Sequence, residues 1–568
     1  MVRITGLNGR PFLLIPILVC GGLGWTIQAQ TERTPREPVR HITGLPFPMP
    51  PVRLPDIPDR QWNILDFGAV GDGQALNTEA FRRAIAACSQ QGGGRLVVPA
   101  GIWRTGPIQL ASRIELHLER NALLLFSRNP DDYPLVETSF EGGPRVRFMS
   151  PIYGRGLTDI AITGPGMVDG SGDAWRPVKK FKMTANQWRD LLASGGVVSK
   201  DKSIWWPSEE AMQGARTVQA LQEKGAAVSL NDHRQAREFL RPVMVGLSEC
   251  KRVLLDGPTF ANSPAWNIHP LLCEDVVIRN LTVRNPWYSQ NGDGLDLESC
   301  QRAVVYNCTF DVGDDAICMK SGKDEYGRKR GKPTEWVSIA DCTVYHGHGG
   351  FTIGSEMSGG IRNIHVRNCT FIGTDVGLRF KSNRGRGGVV ENIFIRSIFM
   401  RDIPTDAVGF NLSYGEEAPA EDKAPSPAVA TPAANEGTPQ FRNIFLKDII
   451  CRGAARAVAL EGLPEMPVRN ISLEDVVISS RRGFICREAD GVTLKRVSIL
   501  AEDGPLFQVE QGRNIRLEAI RDVETIPTFL LLKGGRTAHI RLLDSRIADD
   551  VRRIRREADV PAEALEKQ

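Results

Sequence analysis

The chain has 568 residues, with 71 Lys and Arg against 67 Asp and Glu, a formal net charge of +4 and 41% hydrophobic residues. So even a balance, with no basic helix carrying interleaved aromatics, excludes nucleic acid as a partner while tolerating an acidic substrate. The length is ample for a large buried core.

The first 30 residues read as a secretory signal. Arg3 and Arg10 make a positive start, "PFLLIPILVCGGLGW" is an apolar stretch too short for a membrane span, and "TIQAQ" is a small-residue exit with cleavage near Ala29. Acylation at Cys20 is disfavoured by the bulky Val19 before it. The expected location is therefore secreted or periplasmic, with no membrane attachment after cleavage. Residues 31–60 are Pro-rich and predict an extended surface arm. The segment beginning "NILDFGAVGDG" reads as strand, loop, helix and strand pair, which would cap the open end of a stack. Residues 176–242 form an amphipathic, helix-rich insertion carrying Trp188, Trp205 and Trp206. Residues 416–440 predict a disordered low-complexity loop, and 549–568 a C-terminal tail.

Between these pieces short β-branched phrases recur, among them "CKRVLLDGPTF", "CEDVVIRNLTV", "CQRAVVYNCTF", "IRNIHVRNCTF" and "VRNISLEDVV". Their closing polar residues are Asp256, Asn280, Asn307, Asp341, Asn368, Arg396, Asp448 and Asp475, mostly one period of 24–34 residues apart. A period of that size built from several short strands marks a β-solenoid, and the strand-rich composition excludes helical repeats. The expected fold is all-β: a parallel β-helix over 61–548 with an N-terminal cap and a helical insertion. Ten cysteines follow the signal, and six recur at two equivalent coil positions (Cys250, Cys273, Cys300; Cys308, Cys342, Cys369). Stacked apolar residues explain them better than disulfides. "NLT" and "NCT" match a glycosylation sequon, but a strand-end Asn ladder explains them equally well.

Four segments are informative together: "GDGLDLES" (292–299), "DDAICMKS" (314–321), "HGGFTIGS" (348–355) and "DVGLRFKS" (375–382). Aligned on the closing Ser, they place Leu295, Ile317, Phe351 and Leu378, then Leu297, Met319, Ile353 and Phe380, on the inward face. Asp296, Cys318, Thr352 and Arg379 then face outward, followed by Glu298, Lys320, Gly354 and Lys381. Gly294, Ala316, Gly350 and Gly377 predict a groove floored by nearly bare backbone. Asp293 and Asp315 stack on adjacent coils about 5 Å apart, and Asp314 stacks with His348. Strict alternation would send Asp293 and Asp315 inward, so the flanking glycines are expected to bend the chain. Asp296 faces the groove, either binding sugar or pairing with Arg379. His269 aligns with Asp296 one coil earlier as a subsite residue, and Tyr414 lies beyond the Lys381 strand.

A glycosidic bond is cleaved by a protonated carboxyl acting with a second carboxylate. Crowding three carboxylates raises at least one pKa, which supplies the acid. Arg379 and Lys381 would hold a substrate carboxylate. Together these predict hydrolysis of an acidic sugar polymer. A lyase with calcium-bound acids and Arg379 as base, and a non-catalytic carbohydrate-binding solenoid, are the alternatives from other classes.

"NGD" (291–293), "GDD" (313–315), "GHG" (347–349) and "RFK" (379–381), with "DFGAVGDG" and "IGSEMSGG", resemble the signatures of glycoside hydrolase family 28, the polygalacturonases. The resemblance covers roughly residues 60–415. It implies a right-handed parallel β-helix and an inverting hydrolase without metal or cofactor. It further implies Asp314 as general acid, Asp293 and Asp315 as activators of water, His348 in support, and Arg379 and Lys381 on a galacturonate carboxylate. Asn291 joins them as a substrate-binding residue. An inverting pair is expected about 6.5–9.5 Å apart. The implied substrate is the α-1,4-galacturonosyl linkage of pectin or polygalacturonate, acted on by a monomer. Rhamnogalacturonan-type or endo-acting hydrolysis are the alternatives within the family. The 176–242 insertion and the "KDEYGRKRGKP" loop (323–333) are expected to close one end of the groove, giving exo action. Gly292 departs from the Asn-Thr-Asp common in the family.

Overall fold

Parallel pairing from coil to coil dominates the computed structural model, which describes residues 39–224, 228–415, 431–521, 526–544 and 551–567. The signal segment and residues 416–430 of the low-complexity loop lie outside those residues. Three strand positions recur per coil. Lys251–Asp256, Glu274–Arg279, Gln301–Tyr306 and Thr334–Ala340 pair in sequence on one face. Thr259–Ala261, Thr282–Arg284 and Thr309–Asp311 pair on the next. The third face carries the site, and five strands reach it there: β1 (Ile268–Leu271), β2 (Leu295–Glu298), β3 (Ile317–Lys320), β4 (Thr343–Gly354) and β5 (Ile361–Lys381). Of these, β4 continues from the second face and β5 runs through all three. The fold is a right-handed parallel β-helix, the hand that parallel crossovers take.

The register is the one the Ser alignment requires. Leu295 pairs with Ile317, Ile317 with Phe351 and Phe351 with Leu378, and all four are buried. Corners turn through left-handed residues, Asn280, Asn307, Asp341, Asn368, Asp448 and Asp475 among them. Two expected corners are displaced by one residue: Gly257 and Ser397, not Asp256 and Arg396, take the positive φ. The left-handed conformation costs least at Gly and small polar residues, which suits Gly257 and Ser397. The asparagines do form a ladder, with Asn307 Nδ2 donating to Asn280 Oδ1 at 2.7 Å and Asn368 Nδ2 to Asp341 Oδ1 at 2.6 Å. All ten cysteines from Cys88 to Cys486 are buried free thiols.

The helix Thr78–Gln90 buries Phe81, Ala84, Ile85 and Cys88 over the open end, where the strands Gln61–Asn63, Gly94–Val98 and Ile114–Leu118 of successive coils pair in parallel. Residues of the Pro-rich arm lie along the first face, where Val52 packs with Leu254, Val277, Val304 and Tyr306. The insertion contains the helices Ala185–Ala193 and Glu209–Glu223 and a three-stranded antiparallel sheet. Two boundaries differ from expectation. Gln440 already pairs with Val389, and Ile554–Arg556 and Leu565–Lys567 continue the stack where a tail was expected. Those last phrases are too short to show a period.

Aromatic stacking runs through the core beneath the site, with Phe380 and Phe410 rings 4.1 Å apart and 5° from parallel. Phe410→Ala empties a core site, the side chain being only 1% exposed. We expect it to lower unfolding free energy by about 3–5 kcal/mol, read by urea titration.

Candidate functional site

Carboxylates and cations meet at the heads of β2 and β3 and on the last residues of β4 and β5 beside them. The chain does bend there, by reversing its alternation at Gly294 and Ala316, just before β2 and β3, and at the equivalent Gly350 and Gly377 within β4 and β5. Ala316 is buried in the core next to Ile317, leaving Asp315 on the groove side. The small residues at these bends are consequently core residues, which corrects their expected place as a groove floor. A Cβ on Gly294 would meet Phe310 and the Ala316 carbonyl, and one on Gly350 or Gly377 would meet Phe371 or Met400. They are small because neighbouring side chains fill the corner.

Asp315 is the most heavily bonded of the acids. Its Oδ1 accepts from Arg379 Nη1 at 3.0 Å and from Thr352 Oγ1 at 3.0 Å, and its Oδ2 from Lys381 Nζ at 2.8 Å. Burial opposes its ionisation, but the Lys381 and Arg379 charges prevail and hold it well below the ordinary carboxylate range. Asp293 is the opposite case. It is buried, its Oδ1 has no hydrogen-bond partner, and burial with the Asp296 and Asp314 charges pushes its pKa well up. Asp314 keeps 18% of its side chain exposed, and its Oδ1 lies 3.2 Å from His348 Nδ1. Burial works against its charge, but the His348 hydrogen bond draws its pKa below the usual value. In the free protein these surroundings favour the protonated form at Asp293 more than at Asp314, the expected acid.

One oxygen from each of these three aspartates lies within 4.8 Å of the others. That is tighter than the 6.5–9.5 Å expected of an inverting pair. The cluster is not left for a cation to neutralise, because Lys381 and Arg379 already occupy both oxygens of Asp315.

Around this centre the remaining expected residues divide. Tyr414 is brought in, its ring 5.6 Å from the Arg379 guanidinium and 5.1 Å from Lys381 Nζ. Asn291 accepts at Oδ1 from Arg241 Nη2 at 2.9 Å. Asp296 is not in the groove and does not pair with Arg379. It is fully buried with both carboxylate oxygens lacking hydrogen bonds, 3.6 Å from Lys320 Nζ, because Arg379 is taken by Asp315. His269 is likewise 4% exposed, with Nε2 2.9 Å from Glu298 Oε2. Glu298 also accepts from Arg330 at 2.8 Å, tying the 323–333 loop to β2. The departure at Gly292 has a local cause, since a Cβ there would run into the Ser289 hydroxyl.

Lys182 was not foreseen. It belongs to the insertion, yet its Nζ donates to the Gly313 carbonyl at 3.1 Å and lies 3.4 Å from His348 Nε2. Arg241, from the end of the insertion, similarly bonds the Gln290 carbonyl and Asn291. Neither follows a coil repeat, so only "KFK" and the arginine themselves were available as signals. Asp375, 3.5 Å from His348 Nε2, completes the ring of contacts.

With this geometry established, comparison with known proteins is decisive. A family model, Glycosyl hydrolases family 28, matches residues 224–493. The solved hyperthermoactive exopolygalacturonase from Thermotoga maritima is 34% identical, with a TM-score of 0.66, covering 79% of this chain and 93% of that one. The chain belongs to glycosyl hydrolases family 28. A probable polygalacturonase of Vitis vinifera is 29% identical over 78% of this chain and 81% of its own length. An exo-poly-alpha-D-galacturonosidase of Dickeya chrysanthemi is 30% identical over 65% and 60%. This family 28 glycoside hydrolase thus holds its four resembling motifs at one place.

The buried Asp296 gives a pH test. Its burial and the Asp315 charge raise its folded pKa, against the attraction of Lys320, above the unfolded value of about 3.9. The fold favours its protonated form, so this group's stability contribution is full below pH about 4 and is lost as pH rises toward the folded pKa. Asp296→Asn removes that loss. We expect a gain of about 1–2 kcal/mol at pH 7.5 that shrinks at pH 4, read from thermal unfolding. An equal change at both pH values would contradict the burial argument.

Proposed function

We propose that this enzyme hydrolyses α-1,4-galacturonosyl linkages of pectin or polygalacturonate, releasing product from a chain end with inversion. The observation that carries the reading is the Asp314–Asp315–Asp293 cluster, with Arg379 and Lys381 at one side and the insertion at the other. In this reading Asp314 donates the proton to the leaving oxygen, being the most exposed of the three aspartates. Its proton comes from the pool shared with Asp293, which the substrate redistributes as it displaces water from Asp314. Asp315 and, once deprotonated, Asp293 hold and activate the attacking water. Asp315 serves as an anchor for water more readily than as a nucleophile, because both its oxygens already accept hydrogen bonds. Arg379 and Lys381, backed by the Tyr414 ring, bind the uronate carboxylate on the leaving-group side, and Asn291 contributes on the other. Asp296 and His269 act as supports behind the groove.

Exo action is supported by the insertion, which bonds directly to the site at Lys182 and Arg241, by the 323–333 loop, which Arg330 ties to Glu298 of β2 behind it, and by two relatives named as exo-acting enzymes. The enzyme would act as a monomer on plant cell-wall polysaccharide after export. Within the described residues no helix is long and apolar enough to cross a membrane. The reading is tested by the products formed from polygalacturonate and from rhamnogalacturonan, with Asp314→Asn as control. We expect short products from polygalacturonate alone at early times, and a loss of about 10²–10⁴-fold in kcat for Asp314→Asn. Mid-length oligomers would overturn exo action, and cleavage of rhamnogalacturonan alone would overturn the substrate.

Lys182 in this reading orients His348: its ammonium donates toward Nε2, leaving Nδ1 to carry hydrogen toward Asp314. Lys182→Met should lower kcat about 10–100-fold, the worth of one charged hydrogen bond. With that charge gone Asp314 is easier to protonate, so the alkaline limb of kcat/KM should move to higher pH. Lys182→Arg should restore part of both effects. A purely structural anchor would lower the thermal midpoint and leave the limb in place.

A further inference from the structure

Next to the three aspartates, β2 and β3 bury a second group of charges. Lys320, the last residue of β3, is only 3% exposed. Its Nζ donates to Glu356 Oε2 at 3.1 Å and lies 3.6 Å from Asp296 Oδ1. The Trp266 ring faces the ammonium, 4.8 Å from Nζ. Trp266 packs in turn on Phe140 of the hairpin Leu135–Phe140/Gly143–Phe148, ring centroids 4.5 Å apart, and Arg147 stacks 3.7 Å over Phe140. These layers seal Lys320 from water. Such a group costs stability. A buried ion pair gives back little over apolar residues of the same size, and both oxygens of Asp296 lack hydrogen bonds. Keeping it beside a reacting carboxylate serves the chemistry of that carboxylate.

The charges of the site fall unequally on the two acids that must differ. Burial and the Asp296 and Asp314 charges push Asp293 up; Lys320 opposes them, and Asp315 adds to them. Beyond burial, Asp314 is governed by His348, with Asp315 and Lys381. Lys182 of the insertion faces both acids. Lys320 itself also faces Asp315 and Lys381. Burial works against its charge, but Glu356, Asp296 and Asp293 keep it protonated. Burial likewise opposes ionisation of Glu356, but the Lys320 and Lys381 charges bring it to about 2. Cys318, two residues before Lys320, stays a neutral thiol through burial.

We propose that Lys320 is a positioning residue for the reaction: clamped by Glu356 and sealed under Trp266, its ammonium sets how often the proton of the aspartate cluster lies on Asp314 with Asp293 ionised. This rests on the reading above of Asp314 as acid and Asp293 as a base toward water. In that arrangement Asp314 gives one proton to the leaving oxygen and Asp293 takes one from the attacking water, so the cluster keeps its count. Lys320 acts through its charge, favouring ionised Asp293 over ionised Asp314, and so enlarges the reactive fraction of the enzyme.

The test is kcat/KM on polygalacturonate across about pH 3–9 for the full chain, Lys320→Met and Glu356→Gln. The alkaline limb marks loss of the cluster's last proton, which Asp293 holds more tightly than Asp314. Lys320→Met should move that limb up by about one pH unit and lower the plateau below it about tenfold. Above the limb its values should coincide with the parent's, because there the reactive fraction depends on Asp314 alone. Glu356→Gln removes an anion and leaves Lys320 in place, so it should move the limb down and raise the plateau about threefold. Should Lys320→Met fail to fold, Glu356→Gln carries the comparison in the opposite direction. A uniform loss at every pH with the limb in place, or both variants moving the limb the same way, would overturn the role of Lys320 while leaving the galacturonan reading intact. A parent enzyme that cleaves no galacturonide would overturn both.

Discussion

The ion pairs that fix Asp315 between Lys381 and Arg379 set the chemistry of everything around them. Three carboxylates cannot crowd within 4.8 Å of one another unless some of their charge is neutralised or some are protonated. Lys381 and Arg379 neutralise one; burial beside Asp296 and Asp314 favours the protonated form of another, Asp293; Asp314 is left facing the groove beside His348. The cations that hold the cluster together reach it because β5 places Arg379 and Lys381 two residues apart on one face, one coil beyond Thr352 and Gly354. The β-helix is the scaffold that makes this possible, since each coil delivers the same position one strand spacing away.

Much of this was legible in the sequence because period-2 alternation and coil repetition are local rules. The closing serines alone placed Leu295, Ile317, Phe351 and Leu378 in register, and that register put Asp315 beside Asp293 and Asp314 beside His348. What alternation could not resolve was the bend beside the site. There Ala316 and Gly350 turn inward to fill space beside Phe371 and its neighbours, so residues expected as groove floor are core. Asp296 was misplaced for a related reason. Its outward direction is right, but Lys320 and Glu356 cover it, and how deeply a position is covered depends on neighbours from other coils. Lys182, Arg241 and Arg147 were illegible, because their contacts cross from irregular segments to distant coils and obey no repeat.

Two of those residues tie the insertion to the candidate site: Lys182 touches His348 and Arg241 secures Asn291, while Arg147, on the neighbouring hairpin, leans on the Arg241 backbone. A β-helix groove is open along its axis by construction, so under the proposed exo action the insertion that bonds to the site at Lys182 and Arg241 would set where the sugar chain stops, coupling chain-end selection to proton donation by Asp314.

The central claim is that Asp315, with its oxygens committed to Arg379, Thr352 and Lys381, anchors water and does not attack the sugar itself. Proton NMR of the first sugar released from an α-linked galacturonide, followed before mutarotation, tests it directly. The β anomer as first product is the result this account predicts. The α anomer would mean that an enzyme carboxylate formed a covalent intermediate, and the close spacing of the three aspartates would then be that of a retaining site.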